Sequence, residues 1–392
     1  MALHEAVHIG AGDLIKDFAM ADDGVAQGML AEGRGLHEML DGAARIIVIH
    51  GHLTADHVHL AGEFIRIELR VAHHVGEDVE VAVSMLGETV DGQLCSAALV
   101  RPLAPGAWRV FALGPIQMTP ALMAPEADWD GLLRSLPGMA LLLNVNLQDP
   151  QYSHLAPCPP VRRAFDHACT IGIALEGGFE RYWQGRSRHL RQNLGRYQRR
   201  LHEDGLAVEW RQYTEPDAIV AAVDRYSVLE SAGWKGRNGT ALHPGNLQGA
   251  FFRRVMQSFA HRASARVWEL WIDGRLAASR LAIGTPTMLV MLKTAYDEEL
   301  ARYAPGMLLL RRVIEGEFAA GQHRRIEFYT NATPAQHAWA TDSRWIRHFE
   351  VYRNRLSARV IDGVRLSRAH PRAVLGGTAA VAALAAFSAL LG

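Results

Sequence analysis

The stretch ARVWELWIDGRLAASRLAIGTPTMLVMLKTAYDEELARYAPGMLLLRRVIEGEFAAG, Ala265 to Gly321, decides the fold. Two apolar runs flank Asp273-Gly274, a dipeptide suited to a tight hairpin because it tolerates left-handed backbone. A third apolar run follows Gly284–Thr287, so the segment reads as an antiparallel three-strand meander. A helix then opens at Pro305, where a missing N–H has no helical partner to lose, and stops at Gly321. RRIEFYT, Arg324 to Thr330, supplies a further strand.

On the N-terminal side of the meander, Ala168–Leu175 reads as a strand and Phe179–His202 as one helix. Phe179, Trp183, Leu190, Leu194, Tyr197 and Leu201 recur at helical spacing, with Arg186, Arg188, Arg191, Arg196, Arg199 and Arg200 on the other face. Leu206–Tyr213 is a strand, Pro216–Gly233 a helix between Pro and Gly punctuation, and Asn246–His261 a further helix. The first half turns β-like from Val79, in three runs ending near Gly114. A helical DWDGLLRSL and a strand-like ALLLNVNL follow, and then a proline-rich connector near 149–163. Residues 1–70 give no firm unit. The expected division is 1–70 unassigned, 71–160 a β-rich first unit, 161–358 a second unit, and an apolar segment at 373–392.

Composition bounds the function. With 49% hydrophobic and 21% charged residues, the 392-residue chain is globular and long enough for two or three domains. The net charge of zero conceals −12 over residues 1–150 and +12 over the rest, so the second part has the sign that attracts anions. Three widely spaced cysteines imply a reducing compartment and no disulfide framework, and the first residues show no secretion pattern. Only Lys16, Lys235 and Lys293 are lysines among 41 basic residues, so arginine abundance argues little. Residues 373–392 carry no charge and would make a helix about 30 Å long. Arg359, Arg365, Arg368 and Arg372 precede it, as on a cytoplasmic flank. A membrane tail and a helix packed on protein both remain open.

RIIVIHGHLTADHVHLAGEF, Arg45 to Phe64, gathers His50, His52, Asp56, His57 and His59 after an apolar run. Binuclear hydrolases of the β-lactamase type carry His-x-His-x-Asp-His, but three residues separate His52 from Asp56 here. That spacing re-aims the later ligands, so no metal site is expected.

FERYWQGRSRHLRQNLGRYQRRL, LESAGWKGRNGTAL, LKTAYDEELARYAPGMLLL and RIEFY, set in this order of elements, resemble the GNAT acyltransferase superfamily. They are most similar to its cellulose-biosynthesis (CelD/BcsL-like) acetyltransferase branch, distantly related to the FemAB aminoacyl transferases. The resemblance covers about 168–355. It implies an α/β GNAT fold of two tandem halves around mixed, largely antiparallel sheets, with 71–160 as the degenerate first half. It implies acetyl-CoA or another acyl-CoA as co-substrate, no metal, and an amine acceptor such as an amino sugar or a polysaccharide- or lipid-linked amine. Work at the cytoplasmic face of the inner membrane would follow, with no DNA partner. The rivals are an aminoacyl-tRNA-dependent transferase and a non-catalytic scaffold of an exopolysaccharide assembly.

In that superfamily the helix after the meander aims its free N–H groups at the donor's pyrophosphate. The corresponding residues here are Arg302, Pro305, Gly306 and Met307. Pro305 and Met307 replace two small residues of the family's Arg/Gln-x-x-Gly-x-Gly/Ala loop, and proline donates no N–H. An ordinary helix start is the other reading. Acyl transfer needs a neutral amine, hence a base, and an acid for the leaving thiolate. Glu327 is the candidate base and Tyr329 or Tyr296 the candidate acid, unless Glu327 merely pairs with a neighbouring arginine. Trp234, Lys235 and Asn238 in the Gly-rich GWKGRNG are candidates for the acceptor pocket, or else a helix cap and connector.

Overall fold

The computed structural model describes residues 53–369, apart from 62–63, 76, 91–92, 112–117, 119–120, 124–128, 137, 154–160, 240 and 244. For 53–97, 121–123, 152–153, 247 and 367–369 it describes backbone only. His50, His52 and the apolar segment 373–392 lie outside the described residues. Asp56, His57 and His59 are described only as strand backbone.

The first half contains β1 (Leu53–Ala61), β2 (Phe64–Val75), β3 (Glu77–Val90), β4 (Gln93–Ala104), β5 (Ala107–Val110), β6 (Ala121–Met123), α1 (Trp129–Ser135), β7 (Leu142–Gln148) and α2 (Pro150–Ser153). The second begins with β8 (Arg162–Ala174), α3 (Phe179–Gln184), α4 (Arg188–Glu203), β9 (Val208–Tyr213), α5 (Pro216–Ala232), α6 (Trp234–Arg237) and α7 (Leu247–Ala260). It continues through β10 (Ala265–Ile272), β11 (Arg275–Gly284), β12 (Met288–Tyr296), α8 (Pro305–Ala320), β13 (Arg325–Glu327), α9 (Pro334–His337), β14 (Asp342–Tyr352) and α10 (Arg355–Ala369).

One sheet runs through both halves in the order β1-β2-β3-β4-β5-β7-β14-β8-β13-β12-β11-β10-β9, with β6 beside β4. Its construction repeats. Antiparallel β3–β4–β5 passes through α1 to β7, which lies parallel to β5. Antiparallel β10–β11–β12 passes through α8 to β13, which lies parallel to β12. A parallel neighbour needs a crossover, and the helix between the strands provides it each time. The fold is therefore α/β, two tandem halves on one mixed, largely antiparallel sheet. β14 closes the join, pairing with β7 on one side and β8 on the other.

The meander, its Asp273-Gly274 turn, α5, α7 and α8 stand where the sequence pattern puts them. Other expectations are corrected. Phe179–His202 is two helices, because the chain breaks at Gly185 and restarts with Ser187 as cap, its Oγ accepting from the Leu190 N–H at 3.2 Å. RRIEFYT forms a strand only over Arg325–Glu327, and Tyr329 takes left-handed backbone at φ 43°. β8 starts six residues before Ala168 because β14 pairs with it from Arg162 to Gly172. β1 and β2 occupy a stretch read as no firm unit, although Ile65, Ile67, Leu69 and Val71 alternate with Arg66, Glu68 and Arg70.

One face of the second half packs Trp268, Leu270, Ala278, Ala282 and Met291 against α4 and α8. The other packs Val267, Leu281 and Ala295 against α5 and α7. Among the described residues no helix is long and apolar enough to cross a membrane.

Candidate active site

The site begins with a fault in β12. Leu281 faces Lys293 and Ala282 faces Met291, which leaves Leu292 as an extra residue bulged out of register. Bulges bend and twist a strand, and this one lies just past Val290, the last residue of β12 to pair with β13. β12 pairs with β13 only through Met288, Leu289 and Val290. From Met291 to Tyr296 it has no strand partner on that side among the described residues, and this unpaired edge beyond β13 is the wedge.

α8 starts at the mouth of this wedge. Tyr296, 41% exposed at the outer end of β12, places its ring 3.7 Å from where a Cβ on Gly306 would lie. Ala304, the residue before the helix, has φ 50°. Its carbonyl accepts from the Met307 and Leu308 N–H groups at 3.0 and 3.1 Å. Pro305 has no N–H, so Gly306 carries the first-turn amide without a protein acceptor among the described residues. Arg302 turns away, into an ion pair with Asp204 just past α4, and its guanidinium stacks 4.6 Å over the Tyr303 ring. The Tyr303 hydroxyl donates to the same carboxylate at 2.7 Å, and Arg200 donates to the Arg302 carbonyl at 2.6 Å. The Tyr303 and Arg302 hydrogen bonds hold the Asp204 carboxyl below its ordinary range.

Beside the mouth stands the Gly-rich segment. Trp234 and Lys235 belong to α6, and Asn238 is its exposed C-cap. Glu298 fastens this turn to the segment leading into α8, accepting from the Trp234 N–H and from Arg237 at 2.7 Å each. Lys235 pairs with buried Glu230, which also accepts from the Tyr226 hydroxyl at 2.8 Å and the Leu242 N–H at 2.7 Å. Lys293 lies 5.1 Å over the Phe252 ring, and burial lowers its amine, with Glu230 opposing that shift. Two of the three lysines thus converge on Glu230.

Glu327 is fully enclosed. Arg344 donates to its two oxygens at 2.9 and 3.1 Å, and Arg325 pairs with it as well. Burial pushes this carboxyl up, and the two guanidinium charges oppose the shift. Arg344 also binds Asp149 of the first half and lies 5.5 Å over the Tyr329 ring. Tyr329 is buried with Met288, Val290 and Ile346. Pairing with neighbouring arginines is the reading of Glu327 that these contacts fit. The structure brings Tyr296, Gly306 and Met307 together at the wedge and keeps Glu327 and Tyr329 behind it. Among the described residues no group of three potential metal ligands occurs.

Residues 188–339, from α4 to just past α9, match the model of a family described as an acetyltransferase (GNAT) domain. This part of the chain is a GNAT-type acetyltransferase domain. The protein is accordingly a transferase enzyme, and the GNAT domain contains the bulged strand, the wedge and α8. No curated protein matches the chain. Three solved structures are similar to it. The C-terminal domain of a protein described as a lysylphosphatidylglycerol synthetase, from Agrobacterium fabrum, is 15% identical over 72% of this chain and 89% of that one, with a TM-score of 0.45. FemX is 9% identical over 70% and 89%, with a TM-score of 0.46. A tandem GNAT protein of clavulanic acid biosynthesis is 13% identical over 75% and 85%, with a TM-score of 0.36.

Several residues that shape the GNAT site escaped the sequence reading. Glu230 follows Ile219, Val223 and Tyr226 on the apolar stripe of α5, and a carboxylate there announces a buried partner. Asp204, Glu298 and Arg344 left no such trace, because their partners lie 98, 61 and 195 positions away.

Proposed function

We propose that the protein moves an acyl group from acyl-CoA to an amine acceptor at the wedge between β12 and β13. The observation that carries this reading is the coincidence of that wedge with the α8 N-terminus, where the Gly306 N–H points out of the first turn unpartnered. A helix N-terminus favours an anion through a free amide and its dipole, so the donor's phosphates would lie at the Gly306 amide, beside Met307, whose own amide is bonded to Ala304. Pro305 removes one amide from that cradle. In the reaction the amine nitrogen attacks the thioester carbon, the C–N bond forms, the C–S bond breaks, and the amine's proton leaves to a base while the thiolate gains one. Tyr296, exposed beside Gly306, would border the donor's diphosphate, and the thiolate, a pantetheine arm away, would take its proton from another group or from water. Trp234, Lys235 and Asn238 would border the acceptor. An acceptor amine carried on a sugar, a polysaccharide or a lipid fits the open mouth, with 71–160 serving as a degenerate first half and 373–392 as a membrane tether.

A second reading has its own observation. Arg188, Arg191, Arg196 and Arg199 on α4 are exposed and form no ion pair among the described residues. Such a face suits a polyanionic carrier, and an aminoacyl-tRNA would supply the group instead.

The two are separated by titrating the purified chain with acetyl-CoA and following its melting temperature. Saturation at 100 times Kd adds about 2.7 kcal/mol and raises the Tm by several degrees. Gly306→Asp should abolish the shift by placing a carboxylate where the phosphates would lie. Its own folding should survive, since the nearest atom to the new Cβ is 3.7 Å away and aspartate suits a first helical turn. No shift with acetyl-CoA or longer acyl-CoAs, but transfer from charged tRNA, would establish the second reading instead.

A further inference from the structure

Arg280 lies at the centre of β11, 7% exposed, and makes no hydrogen bond or ion pair among the described residues. Its Nε is sealed from solvent without an acceptor. A buried charge is ordinarily paired, because leaving water without a partner costs several kcal/mol. Burial pulls this guanidinium down to about 10, and the Tyr226 hydroxyl of α5 opposes that shift.

Register places the side chain. Arg280 stands opposite Trp268 on β10 and Thr294 on β12. Trp268, together with Ala278 and Ala282 two residues to either side, belongs to the core that α8 covers, so alternation puts Arg280 on that face. Ala278 stands opposite Tyr296, the residue against Gly306. Arg280 is therefore one step further in along the same face from the mouth of the wedge, with Trp268, Thr294 and two alanines for neighbours. Register thus sets an unpaired buried guanidinium on the sheet face that α8 covers, inward of the Gly306 amide.

We propose that Arg280 is an anion-binding residue of the donor site, holding a phosphate group of the donor from beneath the first turn of α8 and replacing the amide that Pro305 removes. This rests on the acyl-CoA reading for the donor's identity, but not for the anion's chemistry. The site takes a phosphate or diphosphate ester. The buried charge is compensated only in the loaded enzyme.

The test compares the full chain with Arg280→Met, using acetyl-CoA, S-acetylpantetheine (which lacks the diphosphate) and inorganic pyrophosphate as probes, read by calorimetry and melting temperature. The unliganded variant should melt no lower than wild type, since an unpaired buried charge is gone. It should bind acetyl-CoA at least tenfold more weakly and acetylpantetheine equally well. Equal weakening for both thioesters, or unchanged acetyl-CoA affinity, would overturn the proposal and leave the acyl-CoA reading standing. Should wild type ignore acetyl-CoA yet be stabilised by pyrophosphate in an Arg280-dependent way, the anion site stands and the acyl-CoA reading falls. Indifference to all three probes sinks both. If Arg280→Met fails to fold, Thr294→Asp serves instead, because it offers Arg280 a carboxylate from the facing position. It should raise the unliganded Tm and abolish acetyl-CoA binding, and full retention of binding would count against the site.

Discussion

Glu230 shows how much one carboxylate can organise. It anchors Lys235, the Tyr226 hydroxyl and the Leu242 N–H from a position 3% exposed. Glu230→Ala would leave a partly buried ammonium and a buried amide without acceptors, and should cost about 3 kcal/mol in urea unfolding. Glu230→Gln keeps an acceptor and should cost less. A loss below about 1 kcal/mol for the alanine variant would mean that water replaces the carboxylate. His348 makes a different kind of prediction. Its Nδ1 accepts from the Leu147 N–H at 3.1 Å, so the ring must be neutral there. Burial lowers its pKa below 6.5, helped by His167 and Arg109. A base depressed in the folded state contributes stability above its unfolded pKa and loses it as pH falls. Wild type should therefore lose melting temperature from pH 7.5 towards 5.5 more steeply than His348→Gln, and parallel profiles would refute the assignment.

At the scale of elements, α8 is set by its first turn. Ala304 holds left-handed backbone so that its carbonyl can take the Met307 and Leu308 amides. That conformation costs a non-glycine residue about 1–2 kcal/mol, against about 0.5–1 kcal/mol of extra chain entropy for glycine. Ala304→Gly should thus stabilise the protein by about 0.5–1 kcal/mol in chemical denaturation. A loss would mean that the alanine methyl has packing the backbone angle does not reveal. The sequence announced α8 through Pro305 and Gly321, and the meander through Asp273-Gly274, because turn and cap chemistry is local. It did not announce the break in Phe179–His202. There the apolar spacing continues across the Gly185 C-cap and the Ser187 N-cap that interrupt the helix.

Across the whole molecule, Arg344 ties the halves together, joining Asp149 after β7 to Glu327 on β13. Both carboxylates are sealed from solvent. Arg344→Met should cost about 3–5 kcal/mol by leaving buried Asp149 without a cationic partner and Glu327 with Arg325 alone. Combining it with Asp149→Asn and Glu327→Gln should recover a large part of that loss, and the cycle is read by unfolding in denaturant. Equal losses for the single and triple variants would show that the triad's value is packing and not charge.

The sequence by itself determined the second half's meander and the helices α5, α7 and α8, because periodicity, turn residues and caps act over a few positions, while the loop at Arg302–Met307 and the type of transferase were legible through the resemblance to the GNAT superfamily. Tertiary structure decided the rest. Glu327 lies on the strand read from the sequence, yet its carboxylate is claimed by an arginine 17 positions away and shut off from an acceptor. Arg302 was placed at the mouth, and an aspartate 98 positions earlier draws it aside. The opening of the sheet depends on where β13 stops pairing with β12, and the missing partner of Arg280 on what three strands and a helix enclose. Such facts concern which distant groups share a buried volume, and local sequence carries no record of that.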